Sequence, residues 1–252
     1  MTEHRYIRLT QDHGVATLTL HRPKKHNAIN LLMAQEITTV LRSLSARALI
    51  LTGSGHSFCA GADLSEIGVA FDNPEKELGP ELANALEDYP APTIAAIEGS
   101  CLGGGFELAI RCDIRVASRS AQLGLPEISR GLIPGGIIER TARLIGVARA
   151  KELMFFGRSV DAESAASWGL IGHITDPGSA LASAQVLAAE LATGAPLALA
   201  EIKRLLRETA DMSRAEAYAQ EIAATIRLSR TADAAEGVAA FLAKRSPHFT
   251  GK

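Results

Sequence analysis

The chain has little cysteine: Cys59, Cys101 and Cys112 are the only three in 252 residues. An odd, sparse set is not a disulfide framework. His56-x-x-Cys59 has the spacing of half a metal site, but no second pair of ligands follows, so no metal is expected. The cysteines read instead as small buried residues. Long apolar runs are also missing, and none approaches the roughly 18 residues that a bilayer-spanning helix needs. Charge of either sign is hardly in excess, since 26 Lys and Arg against 28 Asp and Glu leave a net −2. Such a balance gives no basic stripe for a nucleic acid. A G-x-S-x-G elbow is absent, which removes the usual serine-hydrolase signal. The opening residues Met1-Thr2-Glu3-His4-Arg5-Tyr6 have neither an apolar h-region nor an Arg/Ser-rich character. The expectation is a cytoplasmic protein with no membrane and no nucleic-acid partner.

What is present is 47% hydrophobic residue, enough over this length to bury a sizeable core in one large or two small domains. The first half alternates strand and helix patterns. Tyr6 to Thr10 and Val15 to Leu20 read as strands joined through Gly14, the second with Ala16, Leu18 and Leu20 opposite Val15, Thr17 and Thr19. A helix is expected over Leu31 to Leu44, a strand over Ala48 to Leu51 and a helix over Leu78 to Leu86. Strands over Thr93 to Ile97 and Asp113 to Ala117 follow. Strands interspersed with helices mark an α/β core. From about residue 136 the pattern is almost wholly helical, with Ile171 to Ile174 as the one strong late strand. Leu199, Ile202 and Leu206, then Tyr218, Ile222 and Ile226, fall at helical spacing, and Ser213-x-x-Glu216 is a capping box. Gly194-Ala195-Pro196 punctuates the chain, dividing a core at 1–194 from a helical module at 195–252.

The most informative stretch is Gly99-Ser100-Cys101-Leu102-Gly103-Gly104-Gly105-Phe106-Glu107. Its glycines follow a strand-like run and open a helix-like one, where a backbone without Cβ can approach a ligand closely. The N–H groups at a helix start have no intrahelical partner and can donate to negative charge. Glu107 then places a carboxylate on the first turn. The glycines do not have the G-x-G-x-x-G spacing of a dinucleotide site.

Ser57-Phe58-Cys59-Ala60-Gly61-Ala62-Asp63-Leu64, Cys101 to Ala109, Cys112-Asp113 and Leu123-Gly124-Leu125-Pro126-Glu127 closely resemble the crotonase superfamily, especially its enoyl-CoA hydratases. His21-Arg22-Pro23 with Asn27-Ala28-Ile29-Asn30, and the terminal Ala240 to Phe249, resemble the same family, in order over nearly the whole chain. The resemblance implies an α/β spiral of repeated strand–strand–helix units, with C-terminal helices forming a trimerisation module and the chain assembling as a homotrimer or a dimer of trimers. No repeat period is visible in the sequence itself.

By the same resemblance the reaction is hydration of a 2-enoyl-CoA thioester, a lyase activity of fatty acid metabolism. Ala62 and Gly104 supply the two N–H groups of an oxyanion hole, Glu107 holds and activates water, and Glu127 donates a proton. Coenzyme A enters as part of the acyl-CoA substrate, and no cofactor is needed. The segment Ala60, Ala62, Asp63 and Leu64 cradles adenine and the pantetheine entrance, while Arg22, Lys24 and Lys25, and Lys244 or Arg245 near the C-terminus, meet phosphates. Residues 68–80 border the acyl pocket.

One segment departs from the family pattern. Where Pro-Gly-x-Gly-Gly-Thr-Gln-Arg is common, this chain reads Pro134-Gly135-Gly136-Ile137-Ile138-Glu139-Arg140, one residue shorter and with two isoleucines. Gly135 occupies the position of the aspartate used by dienoyl isomerases. Other readings are another crotonase-type reaction, such as isomerisation, decarboxylation or carbon–carbon bond cleavage or formation, or a non-catalytic acyl-CoA-binding protein. Retention of Glu107 beside Glu127 favours hydration, because simple isomerases of the family rely on one glutamate.

Overall fold

In the computed structural model, residues 4–66 and 79–252 are described. An antiparallel hairpin, β1 (Ile7–Asp12) and β2 (Val15–Leu20), leads through a short 3-10 turn at Pro23–Lys25 into α1 (Leu31–Ser43). Three units follow, each giving one strand to each of two sheets. They are β3 (Ala48–Gly53) with β4 (Ser57–Cys59), β5 (Thr93–Ile97) with β6 (Ser100–Leu102), and β7 (Ile114–Ser118) with β8 (Gln122–Gly124). Helix α2 (Gly79–Glu87) follows the first unit and α3 (Gly104–Arg111) the second, while a 3-10 turn at Pro126–Arg130 follows the third.

The six-stranded sheet runs β1-β2-β3-β5-β7-β10, where β10 is His173–Thr175, and the four-stranded sheet runs β4-β6-β8-β9, where β9 is Ser159–Asp161. Strands β3, β5 and β7 pair in parallel in one sheet, and β4, β6 and β8 do so in the other, so the chain winds as a spiral. The units start at residues 48, 93 and 114, and this uneven spacing is why no period shows in the sequence.

Strand β2 follows the alternation expected of it, with Ala16, Leu18 and Leu20 buried. Residues 48–52 of β3 and all of β5 are buried without alternation because both faces of the large sheet are covered. On one face Leu49, Leu51, Ala95 and Ile97 join the main core with Met33, Ile37 and Leu41 of α1. On the other, Ile50, Ile94 and Val116 meet Ala180, Ala184 and Ala188 of α7 (Ala180–Ala192). Alanine at steps of four lets that helix lie close to the sheet.

Between these elements run α4 (Ile138–Ile145), α5 (Val147–Phe156) and α6 (Ala162–Ser167); the chain closes with α8 (Pro196–Glu208), α9 (Arg214–Leu228) and α10 (Ala232–Leu242). The capping box at Ser213 and Glu216 is formed. Helix α8 buries no residue and α9 only Ala224. Leu206 is 74% and Tyr218 62% exposed, and Ile202, Ile222 and Ile226 are exposed beside them. These apolar positions do not cover the chain's own core. The late half also holds the short strand β9, which the helical reading missed; its three residues are too few for a period.

The loop before α1 is fastened by Asn27, which is fully buried at φ +56°. Its Nδ2 donates to Ser54 O at 2.9 Å and Ser57 O at 2.7 Å, and its Oδ1 accepts from Arg22 N–H at 3.0 Å. Asn27→Ala strands all three groups and puts alanine in a left-handed conformation. Urea unfolding is expected to show a loss of at least about 2 kcal/mol. A loss within about 0.5 kcal/mol, typical of an indifferent surface site, would contradict this account.

Candidate active site

The two sheets meet at the start of α3. The chain leaves β6 through Gly103, at φ +52°, where a Cβ would lie 2.8 Å from Glu127 Oε1. Glycine is required there both by the dihedral and by the carboxylate above it. Two residues on, a Cβ on Gly105 would lie 2.4 Å from Cys59 O, so α3 packs directly on β4. Cys59, Cys101 and Cys112 are all buried free thiols, as expected, and burial pushes Cys59 and Cys112 up to about 12.

That close approach brings two backbone donors together. Ile29 N–H donates to Gly61 O and Asp63 N–H to Ile29 O, both at 2.8 Å, in a parallel bridge centred on Ala62. The intervening Ala62 N–H therefore points away from Ile29, towards α3. A Cβ on Gly104 would lie 3.5 Å from Ala62 N, and one on Gly61 3.4 Å from Gly104 N. Gly104 is the first residue of α3, where the N–H has no partner within the helix. Two N–H groups on adjacent backbones thus flank one small space.

Two glutamates stand at this helix start. Glu107 sits on the first turn of α3, its N–H donating to Gly103 O at 3.0 Å. Its Oε1 lies 3.5 Å from Arg111 Nη2, one turn on, and a Cβ on Gly136 would come within 3.4 Å of the same oxygen. Glu127 lies in the 3-10 turn after β8, where Pro126 starts the turn and Gly131 closes it. Among the described residues Glu127 Oε2 is buried with no hydrogen-bond partner. Burial pushes this carboxyl up, against smaller opposing effects of its own backbone N–H and the Arg130 charge. One carboxylate beside a cation and one desolvated without a partner are suited to opposite halves of a proton transfer.

Comparison with known proteins decides the family. The enoyl-CoA hydratase/isomerase family matches residues 10–252. The chain is 36% identical to the 2,3-dehydroadipyl-CoA hydratase of Escherichia coli over 256 residues, covering 97% of this chain and 98% of that one. It is 38% identical to the enoyl-CoA isomerase/hydratase fer4 of Mycosarcoma maydis over 256 residues, covering 95% and 93%. The crystal structure of an enoyl-CoA hydratase from Bacillus anthracis superposes with a TM-score of 0.93 at 33% identity, covering 98% of this chain and all of the other. The chain belongs to the enoyl-CoA hydratase/isomerase family. The crotonase-type α/β spiral is therefore shown both by its topology and by its relatives.

Within this family member the anticipated coenzyme A residues fall into two groups. The loop carrying Arg22, Lys24 and Lys25 lies against 60–64, through Ala60 N–H donating to His26 O at 3.0 Å and through the Ile29 bridge. Lys24 and Lys25 are exposed, as are Ala62 and Leu64. Arg22 is held inside the chain, its Nη2 on Asp63 Oδ2 at 2.8 Å, its Nη1 on Ala28 O at 2.6 Å and its guanidinium over the Tyr6 ring. Hydrogen bonds from Ser65 and the paired Arg22 hold Asp63 down at about 2. Lys244 is exposed beyond α10, and Arg245 grips Glu236 through both terminal nitrogens. No hydrogen bond or ion pair joins either to the 22–25 loop among the described residues. The segment 68–80, expected to border the acyl pocket, lies, up to residue 78, outside the described residues.

Sequence reasoning missed the charged group behind Glu107. Arg111 Nη1 pairs with Glu87 on α2, whose other oxygen pairs with Arg140 on α4, and Arg111 Nη2 donates to Gly136 O at 2.9 Å. Glu107 and Arg111 stand at i and i+4, which was a readable signal. Glu87 and Arg140 gave none.

Glu127 carries a stability consequence. A carboxyl raised in the folded state contributes stability that is full below its ordinary value near 4.5 and is lost as pH rises through the raised value. Glu127→Gln cannot ionise and escapes that loss. Thermal melts should show this variant more stable than wild type at neutral pH and level with it near pH 4, about the unperturbed glutamate value. A variant less stable at neutral pH would mean that Glu127 is favourably held as the anion.

Proposed function

We propose that the protein hydrates 2-enoyl-CoA thioesters to 3-hydroxyacyl-CoA. The observation that carries this reading is that Glu107 and Glu127 both lie at the start of α3, where the Gly104 N–H stands beside that of Ala62. In this reaction water adds at C3 while charge moves to the thioester oxygen as an enolate. The two N–H groups hold that oxygen, and one such donor is typically worth about 2.7–4 kcal/mol. Glu107 takes a proton from the attacking water, and Glu127 delivers one to C2. Exchange of a proton between the carboxyls through solvent then restores the starting state. The buried, partnerless Glu127 oxygen supports the donor role, since a raised carboxyl keeps its proton nearer neutrality.

In this reading Lys24 and Lys25 face the phosphates of coenzyme A, and 60–64 borders its adenine and pantetheine. Arg22 acts there through Asp63, holding the two loops in register. Lys244 meets phosphate from a neighbouring copy. The exposed apolar faces of α8 and α9 support a homotrimer or a dimer of trimers.

Incubation with a panel of enoyl-CoA thioesters should give products heavier by one water. A product of unchanged mass with a moved double bond would replace hydration by isomerisation. Glu107→Gln and Glu127→Gln should each lower turnover by at least about 10²-fold with acyl-CoA binding retained. Near-normal turnover in either removes that residue from the chemistry. Ile222→Glu on α9 should lower the mass found by light scattering; a wild-type protein that is a monodisperse, active monomer would refute the assembly.

A further inference from the structure

We propose that Arg111 is a positioning residue for Glu107, anchored at a fixed distance from it by Glu87 and by the Gly136 carbonyl. This rests on the reading of Glu107 as the group that activates water. Four charges alternate behind the site: Glu107, Arg111, Glu87 and Arg140. They come from three elements, α2, α3 and α4, and Arg111 and Glu87 are only 13% and 14% exposed in their side chains.

The geometry explains why one cation does not simply neutralise the base. An arginine one turn from a glutamate can fold onto it and occupy both oxygens in a fork of hydrogen bonds. Here Glu87 takes Nη1, and the Gly136 carbonyl takes Nη2. The guanidinium is thereby held back, and Nη2 stays 3.5 Å from Glu107 Oε1, beyond the length of a good charge-assisted hydrogen bond. The charge still acts across that gap, because both groups are largely removed from water. Arg111 thus does not clamp Glu107 in a fork, yet stands at a fixed place beside it and fixes its direction. Arg140 completes the group by taking the second oxygen of Glu87, with its Nε on Ile110 O at 3.1 Å.

The same contacts explain the unusual Pro134–Arg140 segment. Arg111 binds its Gly136 carbonyl, and Arg140 ends it on Glu87, so the segment is tied at both ends to the group that sets Glu107.

The test compares wild type with Arg111→Met, which keeps length and loses charge. Glutamate labelled with ¹³C at the side-chain carboxyl, with the Glu107 signal assigned by its loss in Glu107→Gln, reports the titration directly. Loss of Arg111 should raise the Glu107 midpoint by about one unit, the low end for a carboxyl losing an adjacent cation. Turnover should fall about tenfold with KM changed less than about threefold, as expected when a reacting group is misplaced. Arg111→Lys should recover part of both effects. In the Glu107→Gln background Arg111→Met should cost nothing further. An unmoved Glu107 midpoint with unchanged turnover, or an equal loss in the Glu107→Gln background, would overturn the proposal. If Arg111→Met does not fold, Arg111→Met/Glu87→Met removes both buried partners and serves the same comparison. If the wild-type protein hydrates no thioester, the proposed function fails, while the titration still decides whether Arg111 governs Glu107.

Discussion

The whole site depends on one close approach, the first turn of α3 lying against the backbone of residues 59–62. That contact requires the missing Cβ at Gly105, and the two glycines before it serve the site in other ways. Gly105 admits the Cys59 carbonyl, Gly104 leaves its N–H beside that of Ala62, and Gly103 makes room for the Glu127 carboxylate. A Cβ at Gly105 would meet the Cys59 backbone and push α3 off β4, whereas one at Gly104 would rest in ordinary contact with Ala62 N. The spiral supplies the required arrangement, since successive units feed one strand to each sheet and place the start of α3 where the sheets converge.

Around this contact the protein spends stability on charge. Burying a carboxylate with no partner is unfavourable, and Glu127 has an oxygen in that condition. The group behind Glu107 takes the opposite course, with buried carboxylate and guanidinium alternating so that no charge is left alone. Such a group is weak evidence of stability, because desolvation offsets much of its attraction. Its stronger consequence is directional: α2, α3 and α4 cannot shift independently without breaking a buried ion pair.

Much of this architecture was legible in the chain. The strands β2 and β5 and the helix α1 follow from alternation and helical spacing within a residue or so, and the Ser213 capping box was readable as a local motif. The four-stranded sheet was not. Its strands β4, β6, β8 and β9 have three residues each, too short for any period to emerge, and three of them follow at once from longer strands around a sharp turn. The spiral was therefore available only through resemblance. Of the site, the N–H pair and both glutamates were placed by motif, and the structure brings them to one helix end. Arg22 was expected, with Lys24 and Lys25, to meet phosphates, because all three share one loop. Burial separates them, and sequence proximity carries no information about it: Arg22 faces inward to Asp63 and Tyr6, while the lysines face out.

The Pro134–Arg140 segment shows how the helix that carries Glu107 is supported from outside. Of the two isoleucines that replace small residues, Ile137 is 2% exposed and joins the main core, while Ile138 lies outward at the first turn of α4. Thr141 Oγ1 donates to Ile137 O at 2.8 Å, closing that turn from within. The segment is thus pinned by a buried side chain on one side and by two arginines on the other. Gly136, at φ +68° with no Cβ, carries the backbone past the Glu107 carboxylate. Arg111 then takes the carbonyl that this turn presents. A left-handed glycine and an arginine on α3 therefore form one structural solution beside Glu107.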